Sequence, residues 1–160
     1  MLFRSAGTVT GASGQASATN INPALLYYQA FLVAPDLSPA DNDYLWTNEW
    51  QGRELPERFG KIMDSYDNEF RLVRQAARST VPCDWGIDMS EGSASLLPHL
   101  ARIKAVAQTT RFRVLWALQH GRQAEAREEI IAAFKLARNA SRDGMLISTL
   151  VQQASEVLNC

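Results

Sequence analysis

The sequence predicts an all-α fold, and three observations carry that expectation. Apolar residues step by three and four along most of the chain, no window alternates at period two for long enough to make a strand, and the interruptions fall at Pro, Gly and Asp-Gly. Together they predict five to six helices folded back on one another as antiparallel hairpins or an irregular bundle.

The elements follow in order. Asn22-Pro23 is a helix start, with asparagine in the capping position and proline at the first helical one. Residues 24–33 are apolar almost all round, which predicts a central helix rather than a surface one; Pro35 and Pro39 end it. Ser38 or Asp41 caps a short second helix that carries Tyr44, Leu45, Trp46 and Trp50 and stops near Gly52. Pro56 opens the clearest amphipathic run of the chain. There Phe59, Ile62, Met63, Tyr66, Phe70, Val73 and Ala77 form one face, with Lys61, Asp64, Asp67, Arg71 and Arg74 between them. Residues 79–95, with Pro82, Gly86 and Gly92, read as a loop fastened by a buried Trp85, since Asp84 and Gly86 around it are turn residues and it is not.

Ser93 or Ser95 caps the next helix, with Pro98 in its first turn. Leu96, Leu100, Ile103, Ala107, Val114 and Ala117 give it one apolar stripe, and Phe112, Leu115, Trp116 and Leu118 a second. Gly121 stops it. A reversal this short requires a left-handed residue, so positive φ is expected at Gly121, with Ala117 packed near Ala126. Ala126, Ile130, Ala133 and Ala137 mark the following helix. Asp143-Gly144 separates it from a last one bearing Ile147, Leu150, Val151, Ala154 and Leu158.

The whole is one domain: 160 residues and 17.8 kDa bury one core but not two. Residues 1–20 are small, polar and aperiodic, which predicts a mobile tail before a helical domain over 21–160. Ala16-Ser17-Ala18 has the small-x-small form of a signal-peptidase site without an apolar stretch before it. A signal-peptide remnant and a translated sequencing adaptor are the two readings of the tail, and the first favours a periplasmic or secreted location over a cytoplasmic one. The last helix is still running at Val157 and Leu158, so the domain is expected to be truncated there. Cys83 and Cys160 are either two thiols or the ends of one long disulfide.

The stretch Gly121-Arg122-Gln123-Ala124-Glu125-Ala126, followed by Ile130 and Ala133, resembles the middle of a tetratricopeptide repeat. It departs from the pattern where Thr110, Arg113 and Val114 occupy the first helix's places and Arg138 the closing proline's, and no second copy follows at the repeat spacing. Over about residues 22–155 the chain also resembles a family of uncharacterised bacterial proteins. That resemblance rests on Ala24-Leu25-Leu26-Tyr27-Tyr28-Gln29-Ala30-Phe31, Cys83-Asp84-Trp85-Gly86-Ile87-Asp88 and Leu97-Pro98-His99-Leu100. It implies a longer, often exported protein and no particular activity; the first resemblance implies hairpins in a right-handed stack.

Composition narrows the function classes. A net charge of −1 gives no global pull toward nucleic acid or membrane, and no stretch is apolar for long enough to insert. Residues 36–91 hold 12 acids and 6 bases, residues 101–142 hold 9 bases and 3 acids, which predicts halves that pack with attracting rims. The bases scatter round their helices, so nucleic-acid binding is not expected. His99 and His120 are separated by about 30 Å along one helical run and cannot share a site; nothing matches a metal box, a P-loop or a dinucleotide fingerprint, and no cofactor is expected. What remains is a non-enzymatic interaction domain that offers a helical groove to a protein or peptide, with Tyr28, Tyr44, Trp46 and Trp50 as its candidate surface. The alternative is the helical part of a truncated enzyme whose candidate loop carries Cys83, Asp84, Asp88 and Glu91; Asp84, Asp88 and Glu91 lack the alternating spacing of a calcium loop.

Overall fold

The computed structural model describes residues 20–47, 50, 52–86 and 98–140. The 1–20 tail up to Asn20, the loop residues Asp88 and Glu91, the capping Ser93 and Ser95, the last predicted helix and Cys160 lie outside them. Among the described residues there are six helices and no strand: α1 (Pro23–Val33), α2 (Pro39–Thr47), α3 (Glu57–Ser65), α4 (Asp67–Ala77), α5 (Pro98–Gln119) and α6 (Gln123–Ala140). The fold is all-α, as the periodicity requires.

Local chemistry sets the boundaries. Asn22 Oδ1 accepts the Ala24 N–H at 3.1 Å, with Pro23 at the first helical position. Ser38 caps α2, its Oγ accepting the Asp41 N–H at 3.1 Å while Asp41 takes the Ser38 hydroxyl at 2.8 Å. Gly121 has φ of 69°. Its N–H donates to the Leu118 carbonyl at 3.0 Å and the Arg122 N–H to that of Ala117 at 2.8 Å, the two bonds of a Schellman closure. The chain reverses there, and α6 returns along α5 with Ala117 and Ala126 buried in one small cluster with Val114.

Two larger clusters make the core. One joins Tyr27, Ala30 and Phe31 of α1 to Val73 and Ala76 of α4, Ile103 and Val106 of α5, and Leu136 of α6. The other gathers Leu45, Trp50, Leu55, Phe59, Met63, Phe70 and Phe112. Gln119 ties the second to the end of α5, its side-chain amide exchanging two hydrogen bonds with the Leu55 backbone at 2.6 and 3.1 Å.

Four expectations change. The amphipathic run 57–77 is two helices, because the Ser65 hydroxyl donates to the Ile62 carbonyl at 2.6 Å and the Tyr66 N–H turns to Met63 instead, at 3.1 Å. The apolar spacing runs straight through this break, so periodicity cannot reveal it. Helix α1 is not central: it buries Tyr27, Ala30 and Phe31 but exposes Leu25, Tyr28 and Leu32 on the opposite face, Leu32 to 84%. On α5 the buried face includes Thr109, Thr110 and Arg113, while Leu118 is exposed. The threonine hydroxyls are satisfied within the helix, by the carbonyls of Ala105 and Val106.

Trp85 is half-buried rather than enclosed, yet it fastens its loop as expected. Its indole stacks on Tyr27 (5.6 Å between centroids) and on His99 (4.7 Å), and its N–H donates to the Asn139 carbonyl at 2.7 Å. Trp85→Ala should therefore lower stability by about 3 kcal/mol in denaturant unfolding, the lower end of the range for large aromatics; an unchanged unfolding midpoint would refute the fastening role. At Gly121 a built Cβ meets nothing within 4 Å, so only the backbone conformation opposes a side chain. Gly121→Val should cost about 1–2 kcal/mol and Gly121→Ala about 1 kcal/mol, and a Gly121→Ala protein as stable as the wild type would contradict the left-handed turn.

Candidate functional site

One buried arginine organises the place where α3, α4, α5 and α6 meet. Arg113 lies on the buried face of α5 and is 8% exposed. Its Nε donates to Glu129 Oε1 of α6 at 2.8 Å and its Nη1 to Asp67 Oδ1 of α4 at 2.6 Å. It also reaches the Met63 carbonyl at the end of α3 (3.3 Å) and Glu125 (3.4 Å), and its guanidinium lies over the Phe70 ring at 5.1 Å. Glu129 is 1% exposed, and its Oε1 accepts from Arg74 of α4 as well. Burial, the largest single influence, would lower the Arg113 pKa; the charges of Glu129 and Asp67 and the hydrogen bonds to both together outweigh it, and the net shift is upward.

Above this network opens a cleft of about 460 Å³, lined by Asp64, Asp67, Asn68, Arg71, Arg74, Arg113, Trp116, Arg122 and Glu125. Arg122 pairs with Glu125 at 2.9 Å. Trp116 forms the apolar wall, and Gly60 is what lets it lie against α3: a Cβ at residue 60 would stand 2.2 Å from the indole ring. The lining therefore carries both signs of charge, with donors and acceptors side by side, and one buried member that cannot move without breaking four helices' contacts.

The residues singled out from sequence are distributed differently. Tyr44, Trp46 and Trp50 do meet, around Phe59 and Phe112, but Trp50 is core: it is 8% exposed and its indole N–H donates to the Leu45 carbonyl at 3.0 Å. Tyr44 is half-buried under the Arg58 guanidinium at 4.3 Å, and Trp46 is exposed. Tyr28 is exposed beside the other cluster, edge-on to Trp85 at 5.4 Å. The four do not form one surface. In the loop, Asp84 is exposed and its Oδ1 accepts the Gly86 N–H at 2.9 Å, a turn-forming bond. Cys83 is half-buried and its thiol is pushed up to about 11 by that burial, which leaves it a poor nucleophile. Asp88 and Glu91 lie outside the described residues. Among the described residues no group of three or more His, Cys, Asp or Glu is arranged to hold a metal ion, and no helix is long and apolar enough to cross a membrane.

Sequence reasoning placed Arg113 among scattered surface bases and as a departure from the repeat pattern. One signal was present: it falls at the fourth position after Thr109 and the fourth before Ala117, on the stripe that also holds Ile103 and Val106. The anticipated attraction between an acidic and a basic half is also local in form. Glu128 and Glu129 of the basic half meet Arg78 and Arg74 of the acidic one, and Arg113–Asp67 runs the other way. A scan against protein-family models gave no match, and searches of curated proteins and of solved structures found none similar to this chain.

The network makes a stability prediction. Glu129→Gln leaves two guanidiniums facing an uncharged amide and should cost about 3–5 kcal/mol, whereas Arg113→Met with Glu129→Leu should recover most of that loss. A single substitution without measurable cost in chemical denaturation would show that the pair does not hold the helices. A second prediction concerns Glu69, which is buried on α4 with Oε2 unpartnered among the described residues. Burial, against the pull of Arg102, pushes its carboxyl up to about 7 from an ordinary 4.5. The folded state thus binds the proton more tightly than the unfolded one, so this contribution is full below pH 4.5 and lost as pH rises through 7. Glu69→Gln should match the wild type near pH 4 and exceed it by about 2–3 kcal/mol at pH 8; a gap that stays constant with pH would rule the shift out.

Proposed function

We propose that this chain is a non-enzymatic helical domain that binds a protein or peptide segment, and that the segment sits in the cleft between α3, α4, α5 and α6. The observation that carries this reading is the cleft's lining: guanidiniums, carboxylates, an amide and one indole wall around a rigid buried arginine. A polypeptide presents alternating backbone donors and acceptors and an occasional apolar side chain, and such a lining answers all three. Helices joined by short turns present such grooves without needing a flexible loop, which is also what a tetratricopeptide-like stack does.

The enzymatic alternative rests on the carboxylates of the 83–91 loop. Of these Asp84 alone is described, and it is engaged in turn chemistry at the surface. Among the described residues of that loop, nothing brings a nucleophile within reach of a base.

Peptide-display selection against the immobilised full chain tests the proposal. Enriched peptides are expected to bind the wild type and to lose at least tenfold in affinity against Asp64→Lys and Arg122→Glu, two cleft-lining changes that leave the Arg113–Glu129 pair intact. Peptides that bind these variants unchanged, or no enrichment over an unrelated helical protein, would overturn it.

A further inference from the structure

The hairpin of α5 and α6 has a second seam, on the flank of α5 that carries Val114 rather than Trp116. Val114, Ala117 and Ala126 cluster there, with Ile130 packed against them. Residues one turn away from these border the same seam: Arg111 and Leu118 on α5, Phe134 on α6. With Ile131 they make up the flank, and none of them lines the cleft. Leu118 and Ile131 are exposed, to 44% and 45%. Phe134 is half-buried yet lies outside the three core clusters. Arg111 Nε is shielded from water with no hydrogen-bond partner among the described residues, which costs stability unless an acceptor is brought to it. The six described helices thus leave this seam only partly covered.

We propose that residues 145–158 of this chain dock into the seam as a helix antiparallel to α6. The proposal is independent of what the cleft binds. The pattern of the segment and its point of departure identify it as the occupant. Ile147, Leu150, Val151, Ala154 and Leu158 step by three and four, with Ser148, Thr149, Gln152 and Glu156 on the opposite side. The segment follows directly on α6, which ends at Ala140, and Ser141-Arg142-Asp143-Gly144 has the length and turn chemistry of a connection between antiparallel helices. Turned back over those four residues, Ile147 stands beside Arg138, Val151 beside Phe134, Ala154 beside Ile131 and Leu158 beside Arg127. The small side chain meets the exposed isoleucine, and the two arginines offer their methylene stems. Each stripe is about 17 Å long at 1.5 Å per residue, so the two match end to end. The outer stripe of α1, with Leu25, Tyr28 and Leu32, is the other exposed apolar face. It is harder to reach. Asn139 meets the Tyr27 hydroxyl at 3.3 Å on the core side of α1, so the segment would have to pass round a helix about 10–12 Å across.

Amide hydrogen exchange on the full chain tests this. In the wild type the amides of 147–158 are expected to exchange about 100-fold or more slowly than in an unstructured chain, at a rate that does not change on dilution. Leu118→Asp with Ile131→Asp, both at exposed positions, should speed that exchange by about tenfold or more while the amides of α1 and α4 stay protected. Val151→Asp reads the same contact from the segment's side and should act alike; should the paired variant also lose α1 and α4 protection, Val151→Asp decides. Leu25→Asp with Leu32→Asp on α1 should leave 147–158 protected. Amides of 147–158 that exchange in the wild type as in an unstructured chain would overturn the docking. So would protection lost through the α1 variant and kept through the α5–α6 one. Protection that falls on dilution, with a dimer in sedimentation, would put a second copy in the seam and overturn it as well.

Discussion

A carboxylate with almost no contact with water, set between two guanidiniums from different helices, is the constraint around which this domain is arranged. Glu129 is fixed on α6; Arg113 reaches it from α5 and Arg74 from α4, and the same Arg113 extends to Asp67 and to the Met63 carbonyl that ends α3. Taking such charges out of water is costly, and the interaction is net favourable only while every member is in place. Four helices are therefore held in one relative position by groups that tolerate little error in distance or angle. Hydrophobic packing alone is less exacting, since apolar contacts of about the right volume permit a helix to slide.

The two main core clusters share helices with this polar centre. The first closes α1 onto α4, α5 and α6, and it is completed by the loop after α4. Asn22 caps α1 and clasps that loop at once, its Oδ1 accepting the Asp84 N–H at 3.1 Å and its amide donating to the Asp84 carbonyl at 2.7 Å. Asn139 serves the opposite end, its amide donating to the Tyr27 hydroxyl at 3.3 Å while its carbonyl takes the Trp85 indole. The second cluster is aromatic and places Phe59 and Phe112 under Trp116 and Trp46. Gly60 supplies the missing volume that lets Trp116 lie flat and wall the cleft, so the concavity follows from one absent side chain as much as from the charges around it. Stability and the candidate site share their parts: Arg113, Arg74 and Asp67, which lock the helices, also line the cleft.

The elements of the fold were legible in the sequence because they are decided within a few residues. A capping asparagine before a proline, a serine three residues ahead of an aspartate, and a glycine between two apolar stripes each act on their own backbone. These reached the right helix start at Pro23, gave Ser38 as one of two caps for the second helix, and reached the right reversal at Gly121. The Tyr66 break escaped because a single serine hydroxyl makes it while the apolar spacing continues unchanged. The outward stripe of α1 escaped because an all-apolar helix carries no mark of which side faces the core.

The candidate site is a different matter. By itself the sequence determined an all-helical fold and the reversal at Gly121. Only the tertiary structure decided that Arg113 is buried and which carboxylates it engages, since its partners lie 16 and 46 positions away along the chain. The same holds for Asp67: next to Arg71 on one helix it reads as half of an ordinary surface pair, yet its Oδ1 engages Arg113 of another helix. Charge pairing at that range depends on which side chains the fold brings within about 3–4 Å, and no pattern within a single helix encodes that choice.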